Sequence, residues 1–168
     1  HVTGVQTCAL PISGVAGATD PAAPAFGLLE LQLDGLDRLW GPEERVVALA
    51  RERLAPLLPG RSRAGIAGTR FAARTAATGI LGDPAGDAIR VVPAGDAAAE
   101  AALLAPLPIG LLPADAEARD RFRILGLRRI GDLAVLDRSA VIARFGSAGG
   151  DLHDLARGLD GRPLRPRR

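Results

Sequence analysis

The apolar pattern of this sequence changes near Ala94–Asp96, and that change limits the folds open to the chain. Before it, short apolar runs alternate with segments of helical spacing, an order typical of strands and helices packed in layers. The strands predicted from these runs are Phe26–Leu33, Arg63–Ala67 and Ile89–Val92. After it, no run has a strand pattern. We therefore predict an α+β chain of two units, a βαβαβ-like part followed by a small all-α part.

Helix signals complete this pattern. In the first part a helix opens at Pro42, and a second helix covers Arg70–Thr78 with Thr69 as its cap. In the second part short helices are predicted at Asp96–Leu104, Asp115–Leu125, Gly131–Leu136, Arg138–Phe145 and Gly150–Arg157. Trp40 precedes the helix that opens at Pro42, and we expect this tryptophan to pack in or at the rim of the core.

A tight helical hairpin is predicted within Ile124–Leu136. Gly126 allows the first helix to end, and Arg128 and Arg129 fall in the turn. The second helix begins at Ile130–Gly131, where backbone N–H groups are expected to point outward beside the two arginines. Such an arrangement suits a phosphate. Spacing alone leaves an equal alternative, a plain helical corner with solvated arginines.

The first dozen residues differ from the remainder. Val2–Ile12 is similar to one reading frame of a common sequencing-library adapter, and it contains the only cysteine, Cys8. The alternative is a real apolar N-terminus or the remnant of a signal peptide, although a basic n-region and a long apolar core are missing. We therefore expect residues 1–25 to be a non-native or disordered leader. Without Cys8 the chain has no cysteine, which excludes a disulfide scaffold.

Composition excludes several classes of function. Every one of the 21 basic residues is an arginine, and the net charge is only +2, too small for whole-chain electrostatics to indicate nucleic acid. Aromatic residues make up 3%, which argues against a stacking platform for single strands. No apolar run is long enough to span a bilayer, so no membrane partner is expected. The arginines are nevertheless clustered, in the hairpin and at 162–168.

Five segments in fixed order carry a family resemblance. They are GLDRLWGPEE, AGIAGTRFAARTAA, APLPIGLL, ILGLRRIGDLAVL and RFGSAGGDLHDLARGLDGRPL. Together they resemble the Y-family DNA polymerases, and most closely the ImuB branch, the polymerase-like subunit of the bacterial damage-induced mutasome. The resemblance implies that residues 26–95 are the C-terminal half of a palm. It further implies a thumb of helix-hairpin-helix character at 96–160 and a basic linker to a little finger at 161–168.

The same resemblance argues against catalysis on this chain. Active members carry an Asp-Glu pair before a strand ending in Leu-Asp, and matching that strand to Leu29–Glu30 puts Ala25 and Phe26 at the pair. Neither side chain can ligate a metal. The segment that should offer a lysine to the triphosphate reads Asp83–Pro84–Ala85–Gly86. We expect no catalytic residue, no metal ligand and no cofactor here, with Mg²⁺ needed only if the intact protein is active.

The function that the resemblance still implies for this chain is DNA binding. It implies binding of template–primer duplex without sequence specificity, in translesion synthesis and DNA repair under the SOS response. The expected contacts are Arg128, Arg129, Ile130 and Gly131, with Arg119 and Arg123 as outer contacts and Arg70 and Arg74 as possible palm contacts. Mutasome proteins and a sliding clamp are the expected protein partners, and the bacterial cytoplasm at the nucleoid is the expected location.

Two alternatives stay open. One is an active error-prone translesion polymerase whose metal site does not align with the positions above. The other is a stand-alone helix-hairpin-helix DNA-binding module, which leaves the strand and helix pattern before Pro93 unexplained.

Overall fold

The computed structural model describes residues 7–11, 28–56, 63–77, 89–93 and 96–162. The chain divides into two compact units. Unit 2 is Asp96–Gly161, and unit 1 comprises the residues before it together with Arg162–Arg168. The division falls after Gly95, inside the stretch where the apolar pattern changes. Among the described residues no helix combines the length and apolar character needed to cross a bilayer.

Unit 1 is a four-stranded sheet with helices. Its elements are β1 (Thr7–Pro11), β2 (Leu28–Gln32), α1 (Asp37–Trp40), α2 (Glu43–Leu54), β3 (Ala64–Ala67), α3 (Arg70–Ala77) and β4 (Ile89–Val91). The strand order is β2-β1-β3-β4. β1 runs antiparallel to both β2 and β3, and β3 pairs with β4 in parallel. β2 and β3 are therefore parallel strands joined through α1 and α2, with one strand between them, which is a split βαβ arrangement.

β1 lies within the predicted leader. Residues 1–25 were expected to be non-native or disordered, and within them Thr7–Pro11 forms an inner strand of the sheet. It is ordered because its backbone pairs with β2 on one side and β3 on the other, in the space between two strands that are not neighbours. The other leader residues lie outside the described part of the chain, and the non-native origin of Val2–Ile12 stays a prediction.

Close contact between helix and sheet defines the core of unit 1. Leu33, Val47, Ala64 and Ile66 form a buried cluster. α3 lies against β3 and turns small side chains inward, because a Cβ on Gly65 would stand 2.2 Å from the carbonyl oxygen of Ala73. As predicted, Thr69 caps this helix, with its hydroxyl accepting a bond from the amide of Ala72 at 3.3 Å.

One packing expectation for unit 1 is wrong. Trp40 was expected in or at the rim of the core, but 55% of it is exposed, and its neighbour Leu39 is 79% exposed. The cause is the length of α1, which has only four residues and no buried member. A single helical turn followed by Gly41, at φ +86°, turns the chain before the indole can reach the core.

Unit 2 is built from helices. They are α4 (Ala97–Leu104), a 3₁₀ turn (Ile109–Leu111), α5 (Ala116–Ile124), α6 (Ile130–Ala134) and α7 (Arg138–Ala156). Asp96, Asp115 and Asp137 cap α4, α5 and α7, each accepting a bond from the amide three residues on. The two helices predicted at Arg138–Phe145 and Gly150–Arg157 are joined in α7, which is kinked at Gly146, where φ is +73°.

Buried apolar side chains from every helix of unit 2 share one core. Phe122 of α5 is buried and contacts Phe145 of α7, with ring centroids 5.2 Å apart. His153, only 1% exposed, ties α7 to the preceding turn through a bond of 2.9 Å between Nε2 and the carbonyl oxygen of Leu136. The core holds the hairpin in place, since Ile130 and Leu133 of α6 are fully buried in it.

Candidate nucleic-acid interface

The hairpin forms because α5 ends on a glycine. Gly126 adopts φ +74°, a left-handed conformation that a side chain disfavours. The amide of Gly126 donates to the carbonyl of Arg123 at 3.1 Å, and the amide of Leu127 donates to the carbonyl of Phe122 at 2.9 Å. These two bonds are those of a Schellman motif, which closes the helix and reverses the chain.

A short extended segment supports the turn from behind. Pro108 and Arg129 form an isolated antiparallel bridge. The amide of Ile109 donates to the carbonyl of Arg128, and the amide of Ile130 donates to the carbonyl of Leu107, both at 2.9 Å. The turn holding the two arginines is thereby fixed to the segment before the 3₁₀ turn, and it presents their side chains from a rigid backbone.

The backbone of α6 corrects an expectation about the hairpin. The amides of Ile130 and Gly131 were expected to point outward to a phosphate, but they donate inward, to the carbonyls of Leu107 at 2.9 Å and of Ala105 at 3.0 Å. Ile130 is fully buried. At Gly131 a Cβ would stand 3.0 Å from that same Ala105 oxygen. Both residues therefore serve packing, because the helix start is pressed against the segment after α4.

Asp132 accepts hydrogen bonds from the two other backbone amides of the turn. Its Oδ2 accepts bonds from the amides of Arg128 and Arg129, each at 2.8 Å. Hydrogen bonds from the Arg129 and Arg128 amides hold the pKa of this carboxyl below its ordinary value. A carboxylate in the first turn of a helix also suits the helix dipole. An acidic residue at the third helical position is also half of a capping box, a signal that could have predicted these bonds.

Arg128 and Arg129 themselves are exposed. Unit 2 contains eight arginines and ten carboxylates, so local pairing decides which arginines are available to a ligand. Ion pairs hold Arg121 to Glu117 at 2.5 Å, Arg123 to Asp120 at 3.2 Å and Arg138 to Asp154 at 2.8 Å. Within the described residues no ion pair holds the guanidinium groups of Arg119, Arg128, Arg129, Arg144 and Arg157.

The outer contacts predicted on α5 are Arg119 and Arg123. Both are exposed, and at a spacing of four residues they share one face of the helix. Arg123 is paired with Asp120, but both side chains are largely solvated, at 79% and 67% exposure, so this pair is weak. The structure thus leaves Arg119 and Arg123 available on the surface of α5.

The possible palm contacts lie in unit 1 and have a partner there. The Nη2 of Arg70 is 2.5 Å from Oε2 of Glu30, and the Nε of Arg74 is 3.8 Å from Oε1 of the same carboxylate. The Glu30 side chain is 12% exposed. Sequence spacing placed the two arginines on one face of α3 but did not reveal this partner, which precedes Arg70 by 40 residues. A single carboxylate inside the apolar run of β2 was the signal available.

Some positions tied to catalysis lie outside the described residues. These are Ala25–Phe26 and Asp83–Gly86. Among the residues that are described, no group of three or more His, Cys, Asp or Glu side chains could hold a metal ion. Glu30, the carboxylate aligned with the family's Leu-Asp, is held by two arginines, as set out above.

The fold and the site together define a split βαβ unit followed by a helical unit that presents two arginines from a hairpin. Comparison with known proteins gives relatives that match both units. The chain is 33% identical over 142 residues to DNA polymerase IV of Halorhodospira halophila, which covers 82% of the chain. It is 35% identical over 133 residues to DNA polymerase IV of Desulfatibacillum aliphaticivorans, which covers 77% of the chain.

A third relative agrees with these two. DNA polymerase IV of Dehalococcoides mccartyi is 31% identical over 147 residues and covers 86% of the chain. The chain spans about a third of the length of these relatives, with shares of 37%, 36% and 31%. No protein-family model matches the sequence. Most of the chain is therefore homologous to one part of proteins called DNA polymerase IV.

Proposed function

We propose that this chain is part of a Y-family polymerase-like protein that grips template–primer duplex during lesion bypass. Unit 1 is the C-terminal half of the palm, and unit 2 is the thumb. The observation that supports this most is the pair Arg128 and Arg129, exposed on a turn whose backbone is fixed on both sides. The relatives called DNA polymerase IV extend over both units, as the proposal requires.

The grip acts through side chains. Because the amides at the start of α6 and in the turn are already bonded within unit 2, phosphate oxygens bind the guanidinium groups of Arg128 and Arg129. Arg119 and Arg123 add outer contacts along α5. Contacts to phosphate position a protein on duplex but do not read its sequence, so binding is independent of sequence.

A salt titration tests this grip. Replacing Arg128→Ala together with Arg129→Ala removes two phosphate contacts, so the slope of log affinity against log salt should fall in magnitude by about 2. At moderate salt the affinity should fall by about ten- to fiftyfold, equally for unrelated duplexes. Fluorescence anisotropy with a labelled template–primer duplex at four salt concentrations measures both quantities.

A matched control separates local contact from net charge. Arg38→Ala with Arg53→Ala removes the same charge from exposed positions of unit 1. This control should leave the salt slope unchanged. An unchanged slope in the Arg128 and Arg129 variant, or an equal loss in the control, would show that the hairpin is a plain helical corner with solvated arginines.

The chain itself carries no nucleotidyl transfer under this proposal. Two-metal transfer needs carboxylates that are available to Mg²⁺. At the aligned position Glu30 is mostly buried, its Oε2 accepts a bond from Arg70, and Arg74 lies 3.8 Å from its Oε1, so its charge is offset by arginine. The residues described here do not fit a Mg²⁺ site. The absence of activity in the intact protein, and its place in the ImuB branch, are parts of the same proposal.

An active error-prone translesion polymerase is the second candidate. The observation in its favour is the name of the relatives, DNA polymerase IV. Primer extension by the full-length protein with Mg²⁺ separates the two, because robust incorporation of nucleotides would overturn the non-catalytic proposal. The third possibility, a stand-alone helix-hairpin-helix module, is disfavoured because the match of 142 residues extends well beyond Asp96–Gly161.

Partners and location follow from the same family. Mutasome proteins and a sliding clamp would bind other parts of the intact protein, in the bacterial cytoplasm at the nucleoid. A clamp-binding assay with the full-length protein tests this extension, since a protein that binds duplex normally but never binds the clamp would contradict it.

A further inference from the structure

An open cavity lies between α5 and α7 of unit 2, with a volume of about 400 Å³. Its lining is Arg121, Ile124, Leu125, Ala143 and Arg144. Cavities that bind ligands measure about 300–1,000 Å³, so this one can hold one or two large side chains of a bound segment. It contains none of the residues proposed above for duplex.

The wall of this cavity is fixed in place. The kink at Gly146 ends the first half of α7, and the carbonyl of Arg144 is then bonded by Nη1 of Arg121 at 3.0 Å. Nη2 of Arg121 is 2.5 Å from Oε1 of Glu117. Arg121 is therefore tied to both helices, and a ligand would not have to order it.

Two aliphatic side chains of the lining are uncovered, and they form the apolar part of the cavity. Ile124 is 76% exposed and Leu125 is 41% exposed, although Phe122, in the turn before them, is buried. Arg144 also lines the cavity, and its guanidinium has no ion pair among the described residues. Uncovered aliphatic side chains next to an available positive charge fit a ligand that is apolar and acidic at once.

The cavity also lies on a separate face of α5. At about 100° per residue, Arg121, Ile124 and Leu125 share a face roughly opposite to that of Arg119 and Arg123. Phosphate gains nothing from an aliphatic floor, whereas a peptide with Leu or Phe beside Asp or Glu can use both parts of the site.

We propose that this cavity is a docking site for an acidic, apolar segment of a partner protein. One large apolar side chain of that segment covers Ile124 and Leu125, and a neighbouring carboxylate pairs with Arg144. Because the site is on the far side of α5 from Arg119 and Arg123, docking there leaves these two outer contacts open to duplex. The docking site stands whether or not the grip on duplex does.

Synthetic peptides test the site on the full chain. The probe is a labelled ten-residue peptide in which Leu and Phe alternate with Asp, and two control peptides replace every Asp with Lys, or every Leu and Phe with Ser. Saturable binding of the acidic apolar peptide is expected below about 1 mM, with both controls at least about tenfold weaker. No saturation by that concentration, or equal binding of either control, would overturn the proposal.

Variants locate the binding. Arg144→Glu should lower the affinity for the acidic peptide at least about tenfold, and Ile124→Ser should lower it about fivefold. Arg123→Glu, on the other face of α5, should leave this affinity unchanged. Because Ile124 and Arg144 are exposed, melting temperatures should stay at the wild-type value, which shows that the fold is intact. Unchanged peptide affinity in both variants overturns the assignment. So does a loss of duplex affinity in Arg144→Glu as large as that from removing Arg128 and Arg129, since the cavity would then belong to DNA.

Discussion

One pair of arginines in each unit shows two opposite uses of this side chain. In unit 1, Arg70 and Arg74 turn to the mostly buried carboxylate of Glu30, so both have an ion-pair partner within the unit. In unit 2, Arg128 and Arg129 project from a turn in which Asp132 accepts backbone amides, so their guanidinium groups remain without an ion pair among the described residues. The same side chain is a structural element in one unit and a candidate ligand contact in the other, and the position of the nearest carboxylate decides which.

The units also differ in how closely their elements approach. In unit 1 a Cβ on Gly65 would stand 2.2 Å from the Ala73 oxygen and 2.7 Å from the Ala77 nitrogen, both backbone atoms that cannot move aside. In unit 2 a Cβ on Gly131 would stand 3.0 Å from the Ala105 oxygen, and a Cβ on Gly158 would stand 3.0 Å from the Ala97 oxygen and 2.8 Å from the Glu100 Cβ. The backbones of helix and sheet thus approach more closely at Gly65 than the helix backbones do at Gly131 and Gly158.

Gly65→Ala is expected to have the largest effect. Forcing a methyl group between β3 and α3 should lower the free energy of unfolding of unit 1 by about 3 kcal/mol, at the upper end for overpacked cores. Urea unfolding followed by the fluorescence of Trp40, the sole tryptophan, measures unit 1 alone. Gly131→Ala should cost less, and Gly110→Ala, with open space at its Cβ, should cost least. Equal effects at Gly65 and Gly131 would remove this difference between the units.

Glu30→Ala tests the pairing that sets unit 1 apart. Without the carboxylate, Arg70 and Arg74 lose their shared partner, and the free energy of unfolding of unit 1 should fall by about 1–2 kcal/mol, less than for a fully buried pair because Arg70 and Arg74 are partly solvated. The control Glu30→Gln keeps a hydrogen-bond acceptor, so its free energy of unfolding should fall by less than that of Glu30→Ala. If Glu30→Ala is neutral, the two arginines are not held by it and become candidates for duplex contact again.

Local signals in the sequence predicted the elements but not their partners. The strand predicted at Ile89–Val92 is observed at Ile89–Val91, because an apolar run bounded by breakers is a local property. The pairing of Glu30 with Arg70 spans 40 residues, and no local pattern reports it. The strand Thr7–Pro11 was missed for the same reason, since its order comes from β2 and β3.

The candidate site shows the same limit. Gly126 and the arginine turn could be read directly, because a glycine that ends a helix has a local cause. The direction of the Ile130 and Gly131 amides could not be read from the sequence. Their hydrogen bonds are accepted by the carbonyls of Leu107 and Ala105, which lie more than twenty residues upstream. Sequence thus identified which residues stand at the hairpin, and tertiary contacts decided which of their atoms a ligand can reach.

Asp132→Ala probes the turn of unit 2. Removing this carboxylate leaves the amides of Arg128 and Arg129 without their acceptor, and loosens the turn that presents both guanidinium groups. The melting temperature of unit 2 should fall by about 2–5 °C. Duplex affinity should fall by less than it does on removal of the two arginines, which remain present. Asp132→Asn, which keeps an oxygen acceptor, is the control, and an unchanged melting temperature in Asp132→Ala would show that solvent satisfies these amides equally well.

Acidification should have the smallest effect of these tests. It should change the stability of the two units in opposite directions. In unit 2 the Ser139 hydroxyl and the Ala140 amide lower the pKa of Asp137, and the Arg138 guanidinium lowers the pKa of Asp154. A lowered folded-state pKa means that the unfolded chain takes up protons first as the pH falls. The stability from these carboxylates is therefore present above the unfolded value of about 3.9 and is lost as the pH falls through their folded-state values.

In unit 1 burial, together with the nearby charges of Glu44 and Asp34, raises the pKa of Glu43. A raised value means that the folded state takes up its proton first, so Glu43 adds stability as the pH falls toward its unfolded value of about 4.3. Trp40 fluorescence follows unit 1, and hydrogen exchange of α7 amides follows unit 2. Glu43→Gln should abolish the gain in unit 1, and Asp154→Asn should flatten the loss in unit 2. Loss of both units with one slope and one midpoint would mean that a shared group, and not these carboxylates, sets the response to acid.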